Sequence, residues 1–175
     1  MGNEEPEGSF NDQILAAFFA AMREGYAADC PKEDTISGLP GSAVISFSTR
    51  HFTVIDCYFV AREPCWSFGQ TIIWYLDEPI WKMSYQGRYE ESAISFLKFA
   101  LFQNYSTNVF VGGRGPSFCF CHSPGWEKLF YVNTVEPPND WKHFKGKEKI
   151  FECRDNETRL LGWHEYHGLL LRDPE

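Results

Sequence analysis

The chain has no stretch of 18 apolar residues, so no segment is expected to cross a membrane as a helix. Its first residues, Met1-Gly2-Asn3-Glu4-Glu5-Pro6, are acidic and lack the apolar core of a signal peptide. Gly2 does not read as a myristoylation site, because Pro6 stands where Ser or Thr is wanted. Basic runs are missing too. With 16 Lys and Arg against 24 Asp and Glu, the net charge is -8, which argues against binding to nucleic acid or to an anionic membrane surface. No C-x-x-C spacing joins the cysteines Cys30, Cys57, Cys65, Cys119, Cys121 and Cys153, and reduced thiols in a cytoplasmic protein are expected. On a strand Cys119 and Cys121 would share a face and His122 would point away, so the one local cluster is not a metal site. Neither a metal nor a cofactor is expected. Gly-x-Ser-x-Gly and His-Glu-x-x-His are absent, and no phosphate-binding Gly-Lys-Ser/Thr loop occurs.

What the chain does have is aromatic residues: 16 Phe, 8 Tyr and 6 Trp in 175 residues. They favour strands and line ligand pockets. The length fits one domain, read as residues 9–172 behind a disordered acidic lead at 1–8. Two helices are predicted. The first is capped by Ser9 or Asn11 and runs through Arg23, with Ile14, Phe18 and Met22 on one stripe and Gly25 as its stop. The second spans Glu90–Asn104, with Ala93, Ile94, Leu97, Ala100 and Leu101 at helical spacing. Strands are predicted at 43–47, 52–60, 118–121 and 128–134. A central hairpin runs from Phe68–Tyr75 through Leu76-Asp77-Glu78-Pro79 to Ile80–Gly87. Phe144–Phe151 and Leu161–Gly168 repeat its grammar, each copy having Phe and Gly before the first strand and Tyr-x-Gly closing the second. True duplication and shared hairpin grammar both fit. Short connections and no βαβ alternation give an α+β fold, antiparallel sheet with two helices packed against it.

Gly25-Tyr26-Ala27, Asp56-Cys57-Tyr58, Phe68-Gly69-Gln70, Trp74-Tyr75 and the run from Pro79 to Gly87 stand in a recognisable order. Phe96-Leu97-Lys98, Ala100-Leu101, the run from Phe144 to Ile150, and Tyr166-His167-Gly168 continue it. In this order the chain resembles a domain family of unknown function, found in bacteria and archaea and often fused behind Xre/Cro-type helix-turn-helix repressors. This sequence starts directly at the domain and shows no helix-turn-helix. The resemblance implies a sensing or binding role and brings no activity with it.

Asp56, amid an apolar strand, needs partners if half-buried, and Arg114, Tyr85 or Tyr166 could supply them. The candidate ligand site comprises Asp56, Tyr58, Trp81, Tyr85, Arg114 and His167. Trp81, Met83 and Tyr85 alternate on one strand face that is expected to look inward, with the Tyr85 hydroxyl bonded to Asp56 or Arg114. Arg114 lies in Gly112-Gly113-Arg114-Gly115-Pro116, which reads as a tight turn with a solvated Arg rather than an anion cradle. His164 and His167 fall on opposite faces of a strand, leaving His167 as the lone pocket residue. Glu148 alternates with Lys147 and Lys149 and reads as a cross-strand partner on a solvated edge. The expected function is a stand-alone module for a small ligand. Two alternatives stay open: a hydrolase or transferase using Asp56, Arg114 and His167, and a protein-interaction module acting through a strand edge.

Overall fold

The computed structural model describes residues 8–28, 35–61, 65–154 and 157–172. The acidic lead, Cys30 and the turn at 62–64 therefore lie outside the described residues, Gly8 excepted. Helix α1 (Phe10–Glu24) starts on a capping box. The Asp12 amide donates to Ser9 Oγ at 3.3 Å, and the Ser9 amide to Asp12 Oδ2 at 3.0 Å. Strands β1 (Ser42–Ser48), β2 (Phe52–Val60), β3 (Trp66–Tyr75) and β4 (Glu78–Tyr89) follow as a meander. The β3–β4 turn is tighter than the sequence suggested. Leu76 and Asp77 alone form it, both at positive φ as a two-residue hairpin loop requires, so Glu78 and Pro79 already belong to the strand. Helix α2 (Glu91–Tyr105) leads into a second meander of β5 (Phe118–Phe120), β6 (Leu129–Val135), β7 (His143–Arg154) and β8 (Glu157–Leu170).

All eight strands form one antiparallel sheet in the order β1-β2-β3-β4-β8-β7-β6-β5, an α+β fold with both helices packed on it. Each half is a helix followed by four strands. The halves meet at the β4–β8 ladder, where Tyr85 pairs with Tyr166, Met83 with Gly168 and Gly87 with His164. That register places a pseudo-two-fold axis at the two tyrosines. Gly69 on β3 lies opposite Tyr85, and Gly146 on β7 lies opposite Tyr166. Without a side chain at either glycine, each tyrosine ring crosses the neighbouring strand and reaches the one beyond. Tyr85 Oη donates to Asp56 Oδ1 at 2.9 Å, and Tyr166 Oη to Asn133 Oδ1 at 2.5 Å. The glycine and tyrosine of the repeated hairpin grammar thus have one shared physical purpose.

The inward-facing reading of β4 holds: Trp81, Met83 and Tyr85 are buried. Trp81 stacks on Phe144, meets Phe18 of α1 edge-on, and donates its indole N–H to the Trp141 carbonyl at 2.8 Å. β7 is not a solvated edge. It lies inside the sheet between β6 and β8, with Phe144, Gly146, Glu148 and Ile150 inward and lysines on the other face. No helix among the described residues is long and apolar enough to cross a membrane.

The glycine opposite Tyr85 generates a test. A Cβ at Gly69 would stand 2.6 Å from Tyr85 Oη and 2.7 Å from the Cys57 carbonyl oxygen. Gly69→Ala should therefore cost about 1–3 kcal/mol by overpacking. Urea denaturation measures this, and an unchanged midpoint would contradict the ring-over-glycine arrangement.

Candidate functional site

Strand β2 turns Phe52, Val54 and Asp56 to the same inner face. Phe52 and Val54 enter the core, whereas Asp56 opens onto a cavity of about 290 Å³ beneath the two helices. Met22, Tyr26 and Ala27 close it from the end of α1 and beyond, and Ile94, Leu97 and Leu101 from α2. Its polar floor comes from the sheet and from one loop.

Asp56 is 7% exposed and accepts two hydrogen bonds, from Thr71 Oγ1 at 2.8 Å and from Tyr85 Oη at 2.9 Å. Both fall on Oδ1. Oδ2 accepts none among the described residues. Burial raises the Asp56 pKa against the opposing pull of those two bonds and of Arg114.

Glu148 on β7 is fully buried and saturated. Arg114 donates to its Oε1 from Nη2 at 2.5 Å and Nε at 3.1 Å, and Tyr131 donates to Oε2 at 2.6 Å. Burial alone would raise the Glu148 pKa. The Arg114 charge, with the contacts of His164 and Arg114, brings it down to about 2. Glu148 in turn holds the Arg114 pKa well above its usual value against the effect of burial.

Arg114 reaches this position because its loop is folded inward. Gly112 and Gly113 adopt positive φ. The loop carbonyls are then held by side chains: Asn104 Nδ2 donates to Arg114 O at 2.7 Å, and Asn133 Nδ2 to Gly115 O at 2.9 Å. The expectation of a solvated Arg is overturned, since this backbone clamp and the buried Glu148 draw the side chain into the interior. Its guanidinium lies 5.2 Å from the centre of the Tyr85 ring.

Four of the six residues singled out from sequence line this one cavity: Asp56, Tyr58, Tyr85 and Arg114. Trp81 does not, being packed into the core. His167 does not either. It is exposed on the opposite face of β8, and His164 stands inside. The choice between the two histidines follows from Tyr166. With Tyr166 inward, period-two alternation sends His164 inward and His167 out. Sequence reading also missed Ser67, Thr71 and Tyr89. Tyr89 shares parity with Tyr85 along β4, and that signal was available. Ser67 and Thr71 required the β3–β4 register.

His164 completes the floor. Its Nε2 is 2.8 Å from Ser67 Oγ, and its Nδ1 lies 3.4 Å from Glu148 Oε1 and 3.5 Å from Arg114 Nη2. Burial lowers its pKa, and the Arg114 charge adds to this against the pull of Glu148, which disfavours the imidazolium. Tyr89 is 3% exposed, and its hydroxyl stands beside the Glu148 carboxylate without a well-formed hydrogen bond among the described residues. The sheet's open edges, β1 and β5, lie elsewhere. On β5, Phe118 and Phe120 are each 56% exposed.

The architecture is a four-strand-and-helix unit used twice, with a polar-floored cavity under the helices. Residues 56–169 match the family described as Domain of unknown function (DUF5680), and the chain belongs to that family. No curated protein and no solved structure matches the chain.

The Arg114–Glu148 pair sets a pH-dependent expectation. A folded pKa of about 2 against 4.5 for the free group means that ionised Glu148 stabilises the fold above about pH 4.5, and that this contribution fades as pH falls toward 2. Glu148→Gln, which strands a buried guanidinium, should cost about 3–5 kcal/mol at pH 7. The gap to wild type should narrow as pH is lowered from 4.5. Denaturation across a pH series measures it, and a gap independent of pH would show that the pair is not what stabilises this region.

Proposed function

We propose that this chain is a small-ligand-binding module, with its ligand seated in the cavity above Asp56. The observation that carries the reading is the cavity itself. Its wall includes five tyrosines, Tyr26, Tyr58, Tyr85, Tyr89 and Tyr105, and its floor presents a buried carboxylate with one oxygen unbonded. Apolar concavity with a few placed polar groups is the general form of a small-molecule site. A cytosolic setting suits the reduced thiols of Cys57, Cys119, Cys121 and Cys153.

Ile94 on α2 lines the cavity and is only partly buried, so it tolerates enlargement better than a core position. Native mass spectrometry of protein purified from cells should show wild type carrying a small adduct, and Ile94→Trp, folded by circular dichroism, without it. The same adduct on both proteins would place the ligand elsewhere. Wild type without any adduct, and unable to take one from a cell extract, would remove the reading.

One observation favours a second reading, a hydrolase or acyl transferase. Ser67, His164 and Glu148 stand in the order nucleophile, base and orienting acid, with the His164 pKa lowered by burial and that of Glu148 lowered to about 2, the directions that chemistry needs. Against it, Arg114 and Glu148 compete for His164 Nδ1. Arg114 favours the tautomer in which Nε2–H donates to Ser67 and leaves its hydroxyl unactivated. Ser67 also lies within the β3 ladder, whose backbone amides are engaged in strand pairing. The test is covalent labelling by a fluorophosphonate together with p-nitrophenyl acetate turnover. An enzyme would be labelled at Ser67 and lose turnover in Ser67→Ala. Absence of both signals in wild type eliminates the hydrolase.

A further inference from the structure

The charges around the cavity do not balance evenly, and their imbalance selects the ligand. Arg114 is committed. Its Nε and Nη2 both donate to Glu148, whose other oxygen is taken by Tyr131, so the two opposite charges satisfy each other within the protein. Burial disfavours the His164 imidazolium. Among the described lining residues, the remaining acidic groups are Asp56 on the floor and Glu91 at the start of α2. Arg114, already paired, is the one Lys or Arg among the described lining residues, and Lys98 stands behind the Tyr26 ring rather than in the lining. An anionic ligand would have to take Arg114 from Glu148 and leave a buried carboxylate alone, which is strongly unfavourable.

The wall has the matching character. Tyrosine faces attract cations through the ring quadrupole, more strongly where water is excluded. Two of the five rings already hold cations of the protein itself: Lys98 Nζ stands 4.8 Å from the Tyr26 ring centre, and Arg114 stands 5.2 Å from that of Tyr85. Tyr26 and Tyr58 meet edge-to-face at 5.6 Å, so the wall is a fixed aromatic surface rather than a set of independent side chains.

We propose that the cavity takes a monovalent organic cation, an alkyl- or aryl-ammonium, seated on Asp56 Oδ2 within the tyrosine wall. This rests on the cavity being a ligand site and names the class of ligand. The ammonium supplies Oδ2 with a partner that none of the described residues provides, and holds the buried carboxylate in its charged form.

The test uses three probes of similar size on the full chain: phenyltrimethylammonium, its neutral isostere tert-butylbenzene, and benzenesulfonate. Binding is followed by ligand-observed NMR and by tyrosine and tryptophan fluorescence. The cation should bind at least tenfold more tightly than the isostere, and benzenesulfonate should not bind. Asp56→Asn should remove most of the cation's advantage while leaving tert-butylbenzene unchanged. The isostere comparison on wild type stands even if that variant does not fold. Equal affinity of cation and isostere, or preference for the anion, overturns the cation while leaving a ligand cavity. Failure of all three, together with no adduct or uptake by wild type in native mass spectrometry, overturns the cavity reading as well.

Discussion

The buried ion pair of Arg114 and Glu148 is the constraint on which the interior is arranged. Two charges removed from water are tolerated only when geometry and further hydrogen bonds are nearly complete. Here Glu148 accepts three hydrogen bonds from Arg114 and Tyr131, and Tyr131 Oη in turn accepts the Gly115 amide at 3.0 Å. Asn104 and Asn133 hold the loop carbonyls that carry Arg114 into place. The loop after α2, strands β6 and β7, and the first half of the sheet through Tyr85 are therefore coupled at one point. Replacement of the pair by apolar residues could be stable, yet it would lose the definition of the cavity floor that Arg114 and His164 share.

The pseudo-two-fold axis shows how the two halves have diverged. By ladder register, Asp56 on β2 corresponds to Asn133 on β6, and Thr71 on β3 to Glu148 on β7. Each half thus has one carboxylate among its two inner polar positions, on different strands. In the second half the carboxylate is consumed by Arg114, and Asn133 spends its amide on the carbonyls of Val111 and Gly115. In the first half, among the described residues, Asp56 accepts through Oδ1 alone, from Thr71 and Tyr85. The same framework serves as a filled structural joint on one side and stays open on the other.

Much of this was legible in the sequence, for reasons that can be located. Ser9 and Gly25 bound α1 by local chemistry alone, and β2 was read with its observed limits because β-branched and aromatic residues fill it. The inward face of β4 and the bond from Tyr85 to Asp56 followed from alternation and from the need of a buried hydroxyl for a partner. The misreadings share another cause. Arg114, Glu148 and His164 were each judged from their neighbours in the chain: a glycine turn, flanking lysines, and a second histidine three residues on. Their burial is decided by residues 34 and 50 positions away that no local pattern names. A charged residue beside other charged residues reads as solvated until the partner across the sheet is known.

Buried polar atoms in folded proteins are almost all hydrogen-bonded, and exceptions call for a reason. Among the described residues one buried side-chain polar atom lacks a partner, Tyr89 Oη, and it belongs to a residue that lines the cavity. Asp56 Oδ2, which accepts no hydrogen bond among the described residues, is not such an exception, since it faces the open space of the same cavity. A domain shaped for stability alone would meet both needs with a neighbour, as the Arg114 side of the molecule does, or would replace both residues with apolar ones. The departures from full pairing among the described residues gather at this one cavity, whereas the Arg114 side of the molecule is closed by its own neighbours.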